Sequence, residues 1–144
     1  MAQKYIYCLL ALLVCGFFGL QAVEKTYPEA KQENRSIAAK AKLESGPDMV
    51  TIYAKGLCCP SCAIGIRKKV GKLDFVDTKR LKKGVELDAK MQLATVALKK
   101  GQSPNMDLLA KAIHDAGYTP VHLFRLNEGK VEEVPLPFLS PKSK

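Results

Sequence analysis

Val50-Thr51-Ile52-Tyr53-Ala54-Lys55-Gly56-Leu57-Cys58-Cys59-Pro60-Ser61-Cys62-Ala63-Ile64-Gly65-Ile66 is the stretch from which the fold can be read. Its first part alternates Val50, Ile52 and Ala54 against Thr51, Tyr53 and Lys55, the period of two expected of a half-buried strand. Gly56 and Leu57 then lead into three closely spaced cysteines. From Pro60 onward the spacing turns helical. Cys62, Ile66, Val70 and Leu73 share one face, while Arg67, Lys68, Lys69 and Lys72 occupy much of the rest. A strand therefore passes through a thiol-rich loop into an amphipathic helix with a cationic outer side.

Downstream, Val85 and Leu87 form a second alternating stretch and Ala94, Val96 and Leu98 a third, with Asp88 to Gln92 able to turn between them, which reads as a hairpin. Its upstream limit, near Lys79, is left open by the pattern. Ser103-Pro104 predicts a helix start, because a hydroxyl can cap free N–H groups and proline suits the first helical position. Leu109, Ala112, Ile113 and Ala116 line the apolar face of that helix, and Gly117 supplies its stop. Tyr118 to Leu126 reads as the closing strand. The order strand, helix, strand, strand, helix, strand across residues 49–126 predicts an α+β, ferredoxin-like βαββαβ sandwich, a four-stranded antiparallel sheet with two helices on one face.

What flanks this core reads differently. The first residues carry an apolar run from Ile6 to Leu20 behind Lys4, followed by Gln21-Ala22, as in a signal peptide cleaved near Ala22 that directs export to a periplasm. An uncleaved membrane anchor is the alternative, although the run is short for a bilayer. Residues 23–48, rich in Ala, Lys and Glu, permit some helix around Glu29 to Leu43 but show no convincing apolar stripe, and read as a linker ended by Ser45-Gly46-Pro47. Residues 127–144 form a proline-containing tail in which Asn127-Glu128-Gly129-Lys130 could turn a short extra hairpin.

The 144 residues include 23 Lys and Arg against 14 Asp and Glu, a net charge of +9. Both flanks are neutral, whereas residues 49–126 hold fourteen basic and six acidic side chains, so the basic character belongs to the predicted domain. With 26% charged and 47% apolar residues, wholesale disorder and a multi-span membrane protein are excluded. Of the five cysteines, Cys8 and Cys15 fall in the signal segment. Cys58, Cys59 and Cys62 remain, too crowded for a paired disulfide framework and suggestive of metal capture or redox chemistry.

Gly56-Leu57-Cys58-Cys59-Pro60-Ser61-Cys62, set between an alternating strand and a basic helix and joined by the helix exit Ala116-Gly117-Tyr118, resembles the heavy-metal-associated domain family, whose loop reads Gly-Met-x-Cys-x-x-Cys. The match covers roughly Met49 to Leu126. With the signal segment, the layout is most similar to the periplasmic mercury-binding members, and the copper chaperones share the loop. The resemblance implies that Cys59 and Cys62 ligate the metal and that Tyr118 lies on the loop facing it. Leu57 stands where the family has methionine, a volume-conserving change. Cys58 stands where the family seldom has cysteine and leaves the coordination number open.

Soft thiolates prefer thiophilic ions such as Cu(I) and Hg(II), with Zn(II) a third choice because a tetrahedral site needs further ligands. His114 and His122 are the candidates for such a ligand, although both read as ordinary residues. A helix N-terminus and nearby basic side chains favour thiolate over thiol. Cys58 has three readings: a third ligand, a disulfide partner, or a bystander. The expected function is a non-enzymatic, monomeric, exported carrier or scavenger that exchanges its ion with an acidic metal-accepting or metal-donating domain, such as that of a membrane transporter, steered by the helix lysines. No aromatic and basic sheet motif points to nucleic acid. Two alternatives stand beside it: a thiol–disulfide oxidoreductase using Cys59 and Cys62, and a metal-responsive interaction module.

Overall fold

The computed structural model describes residues 29–59 and 61–137. The expected signal peptide with Cys8 and Cys15 lies outside them, as do Pro60 and residues 138–144 of the tail. No helix among the described residues is long and apolar enough to cross a membrane.

The elements in chain order are α1 (Gln32–Glu44), β1 (Met49–Lys55), α2 (Cys62–Val70), β2 (Val85–Asp88), β3 (Leu93–Ala97), α3 (Met106–Asp115), β4 (Thr119–Asn127) and β5 (Lys130–Pro135). All five strands join one antiparallel sheet in the order β2-β3-β1-β4-β5. The fold is α+β, with five strands and three helices among the described residues. On one face Val50, Ile52, Ala54, Val85, Ala94, Val96 and Leu123 of the sheet meet Ile66 and Val70 of α2 and Leu109 and Ile113 of α3. Each Val, Leu and Ile among them gains about 1.5–3 kcal/mol by leaving water, so the strand and helix periodicities lock together through this one layer.

The ends of α3 set its position. Its first turn is capped by Asn105, whose Oδ1 accepts the Leu108 N–H at 3.0 Å. The expected start at Ser103-Pro104 is therefore two residues early, because Asn105 is the last residue in extended conformation and caps as well as serine does. At the other end Gly117 takes φ +96° and turns the chain into β4. Gly65 of α2 faces this exit, where a Cβ would lie 3.7 Å from the Ala116 carbonyl oxygen.

Two expectations are corrected. The sheet has five strands rather than four, since Glu128 (φ 49°) and Gly129 (φ 77°) form a tight left-handed turn that brings β5 back beside β4. Leu136, just past β5, is buried in the main core, so the start of the tail belongs to the domain. The helix allowed around Glu29 to Leu43 in the segment read as a linker is α1. That helix lies on the opposite face of the sheet, where Ala39 and Leu43 pack with Tyr53, Leu93 and Phe124. The helices are thus two on one face and one on the other. Residues Thr51 and Tyr53 are consequently buried, and β1 is covered on both faces rather than one. The hydroxyls of Thr51 and Thr95 satisfy each other at 3.2 Å.

Arg35 explains why α1 escapes a hydropathy reading. Arg35, Ala39 and Leu43 form its buried stripe, and the first of these is charged. Its guanidinium stacks 3.5 Å from the Tyr53 ring centroid, and Nη2 donates to the Ala30 carbonyl at 2.8 Å. Tyr53 in turn donates its hydroxyl proton to Glu29.

Candidate metal centre

The cysteine loop is held at both ends. Gly56, at φ +95°, turns the chain out of β1, and Leu57 then buries its side chain in the main core. Leu57 therefore anchors the loop by packing, as a residue of methionine-like volume can. Cys62 opens α2 and its N–H donates to the Cys59 carbonyl at 3.2 Å. Ser61 precedes the helix but makes no side-chain cap; its Oγ lies 2.8 Å from the Cys59 sulfur instead.

The three sulfurs of Cys58, Cys59 and Cys62 all lie within 4.8 Å of one another, and all three are free thiols. Cys58 and Cys59 are half-buried, while Cys62 is 7% exposed. The Cys59 and Cys62 sulfurs are 3.2 Å apart. Taking the zinc–thiolate bond of about 2.3 Å as a yardstick, three sulfurs around one ion sit about 4.0 Å apart, and two in line about 4.6 Å. The trigonal arrangement needs the smaller opening of this pair. A cluster of this composition can bind a soft metal ion.

The thiols do not ionise alike. Burial pushes the Cys62 thiol up, but the Tyr118 hydroxyl, the Cys58 backbone, the Cys59 side chain and the Cys59 backbone together outweigh it and bring it down to about 7. Burial raises Cys58, and the neighbouring charges of Cys62 and Cys59 raise it further. Tyr118 is raised above its ordinary range by burial, then by its hydrogen bond to Cys62 and the adjacent sulfurs, so it stays a neutral donor. Between Cys58 and Cys62, Cys62 is therefore the thiol that carries charge near neutral pH.

Tyr118 reaches the site because Gly117 reverses the chain directly before it. Its ring stands over the loop, where a Cβ on Gly56 would lie 3.7 Å from Tyr118 Cδ1. A β-bulge between β1 and β4, at Tyr53 and Ala54, follows immediately and bends β4 beside the loop. The structure accordingly gathers Cys58, Cys59, Cys62, Tyr118 and Leu57 at one end of the sheet.

It does not bring the histidines there. The cluster contains no imidazole. His122 Nδ1 is 2.8 Å from Glu133 across the β4–β5 ladder, and His114 lies near Asp115 at 4.0 Å. A four-ligand zinc site using either histidine is not assembled. No family model, curated protein or solved structure matches the chain. Its chemistry is therefore read from the three sulfurs and their surroundings.

Some neighbours of the site were not singled out by the sequence. Ser61 is one, found only through its contact with Cys59. Lys42, Lys82 and Lys90 are others: they come from three separate segments and converge beside Cys59 and Arg67 around a cavity of about 410 Å³. Their positive charge was visible in the composition, but convergence depends on α1 lying where the sequence suggested a spacer. Arg67 is held there because its Nε donates to the Val85 carbonyl at 3.1 Å, whereas Lys68, Lys69 and Lys72 are exposed.

Proposed function

We propose that the protein is an exported carrier or scavenger of a soft metal ion, Cu(I) or Hg(II), built on a ferredoxin-like heavy-metal-associated domain with an added helix and strand. The observation that carries this reading is the convergence of three free sulfurs within 4.8 Å at the mouth of a helix. The strand order β2-β3-β1-β4, with α2 and α3 on one face, supports the domain assignment. Cys59 and Cys62 hold the ion and Cys58 supplies the third sulfur, which gives a softer and lower-coordinate site than zinc prefers.

The ion is cargo, and its exchange needs no catalyst. An incoming thiolate adds to the ion as one of the protein sulfurs leaves, so metal passes between proteins without change of oxidation state. The exposed Lys68, Lys69 and Lys72, together with Ile64 at 71% exposure in the first turn of α2, form the face on which an acidic metal-accepting or metal-donating domain, such as one on a membrane transporter, would dock.

Anaerobic competitive titration of the reduced protein with Cu(I), Hg(II) and Zn(II) tests the reading. Cys59→Ser or Cys62→Ser should abolish tight binding, and Cys58→Ser should weaken it and lower the sulfur count around the ion from three to two. Single Cys59 and Cys62 variants that bind like the parent would place the site elsewhere.

The 3.2 Å approach of the Cys59 and Cys62 sulfurs, with Cys62 ionising near 7, favours a second reading as a dithiol that passes two electrons and two protons to a substrate disulfide. Against it, Pro120 lies inside β4, and β5 follows with no further helix among the described residues. Insulin reduction by the purified protein, absent on the metal-carrier reading, separates the two.

A further inference from the structure

The cavity beside Cys59 carries a second recognition element. Four cations reach it from four separate segments: Lys42 of α1, Arg67 of α2, Lys82 before β2 and Lys90 in the β2–β3 turn. Lys42 is paired with Glu86 at 3.3 Å. The acid on the cavity wall, Asp88, accepts the Met91 N–H at 3.1 Å through Oδ1 and so closes the hairpin turn. Lys82 and Lys90 have no carboxylate partner among the described residues, and both are exposed. Setting Glu86 against Lys42 and Asp88 against another cation still leaves two positive charges unanswered.

Size and reactivity narrow the occupant. A space of about 410 Å³ falls within the size range of small-molecule sites. Ala63 and Leu87 give it an apolar portion, and Cys59 is its thiol-bearing wall. The other two sulfurs lie within 4.8 Å of that one. Because Cys59 lines the same cavity as Lys82 and Lys90, a molecule seated by its carboxylates on the two lysines would lie beside that sulfur.

We propose that this cavity seats a small anionic thiol of tripeptide size with two carboxylates, the chemical class of glutathione, which loads or unloads the ion through Cys59. The exchange step rests on the metal-carrier reading; the anion seat does not. In the exchange, the sulfur of the incoming thiol bonds to the ion as the Cys59–metal bond breaks. Its proton passes to the departing Cys59 sulfur. No electrons change hands.

The test has one arm without metal and one with it. In the reduced, metal-free protein, S-methylglutathione should shift the amide resonances of Arg67 and Leu87–Lys90 saturably, and the Lys82→Glu/Lys90→Glu double variant should abolish the shifts. In the metal-loaded protein, glutathione should withdraw the ion at a saturable rate that the double variant slows by about tenfold or more, while withdrawal by neutral mercaptoethanol is unchanged. Absence of the S-methylglutathione shifts, or their production by an acidic peptide alone, overturns the seat. Equal slowing of both thiols overturns the exchange route. Should the protein load no metal, the carrier reading falls, and the metal-free titration still decides the anion site.

Discussion

Replacing Tyr118 by phenylalanine removes one hydroxyl from the sulfur site and leaves the ring that stands over Gly56. In the native protein burial pushes the Cys62 thiol up, and the Tyr118 hydroxyl is the strongest of the hydrogen bonds that bring it down to about 7, from an ordinary value of 9.0. A hydrogen bond to a charged group in a partly buried site favours that charged form, so its loss should raise the Cys62 midpoint by about one pH unit. At pH 7 the thiolate fraction then falls from about a half to about a tenth. The assay is the rate of alkylation at Cys62 against pH, resolved from Cys58 and Cys59 by tandem mass spectrometry of the loop peptide. Metal affinity at pH 7 should fall by about tenfold, the scale expected when a group that orients a ligand is lost. An unchanged alkylation midpoint would refute the reasoning, because it would mean that the backbone and Cys59 alone set the thiolate.

The same thiol links stability to pH: its folded value lies below its unfolded one, so its stabilisation is full above 9.0, shrinks as the pH falls, and is gone below about 7. Denaturation of the reduced protein across that window should show a rising slope that Cys62→Ser abolishes. Gly84→Ala should cost about 3 kcal/mol in denaturant unfolding, since φ is +82° and the new Cβ would meet Val76 Cγ1 at 2.5 Å. Gly101→Ala, at φ +72° with nothing within 4 Å, should cost only about 1 kcal/mol, and equal costs would show that the contact with Val76 does not matter. Arg35→Ala should lose about 2 kcal/mol and speed amide exchange in α1 without altering the sulfur site, because it removes the stacking on Tyr53 and the bond to the Ala30 carbonyl on the far face of the sheet.

The central pattern was legible because the apolar positions its spacing picked out between Val50 and Ile113 pack into one shared core. Val50, Ile52 and Ala54, then Ile66 and Val70, then Leu109 and Ile113 all lie where their spacing placed them. The loop was legible for a different reason: three thiols between a strand and a helix have few structural uses. What escaped were features that depend on long-range partners. The stripe of α1 is headed by an arginine whose value comes from a tyrosine on another element, which hydropathy counts as polar. The burial of Thr51 and Tyr53 followed from the same omission. The hairpin of Asn127 to Lys130 was readable as a turn, but whether a strand followed it depended on β4 offering a free edge. The site's sulfur-bearing residues were found from spacing, while the convergence of Lys42, Lys82 and Lys90 required the tertiary fold.

The fifth strand also changes what the sheet margins offer to another copy of this chain. Without it, β4, a nine-residue strand carrying Val121, Leu123 and Phe124, would form the margin of the sheet and invite another chain to extend the ladder. β5 replaces that margin with Lys130, Glu132, Glu133 and a terminal Pro135, and the opposite margin, β2, is only four residues long and carries Glu86 and Asp88. Fibre-like growth by strand addition is thereby discouraged on both sides.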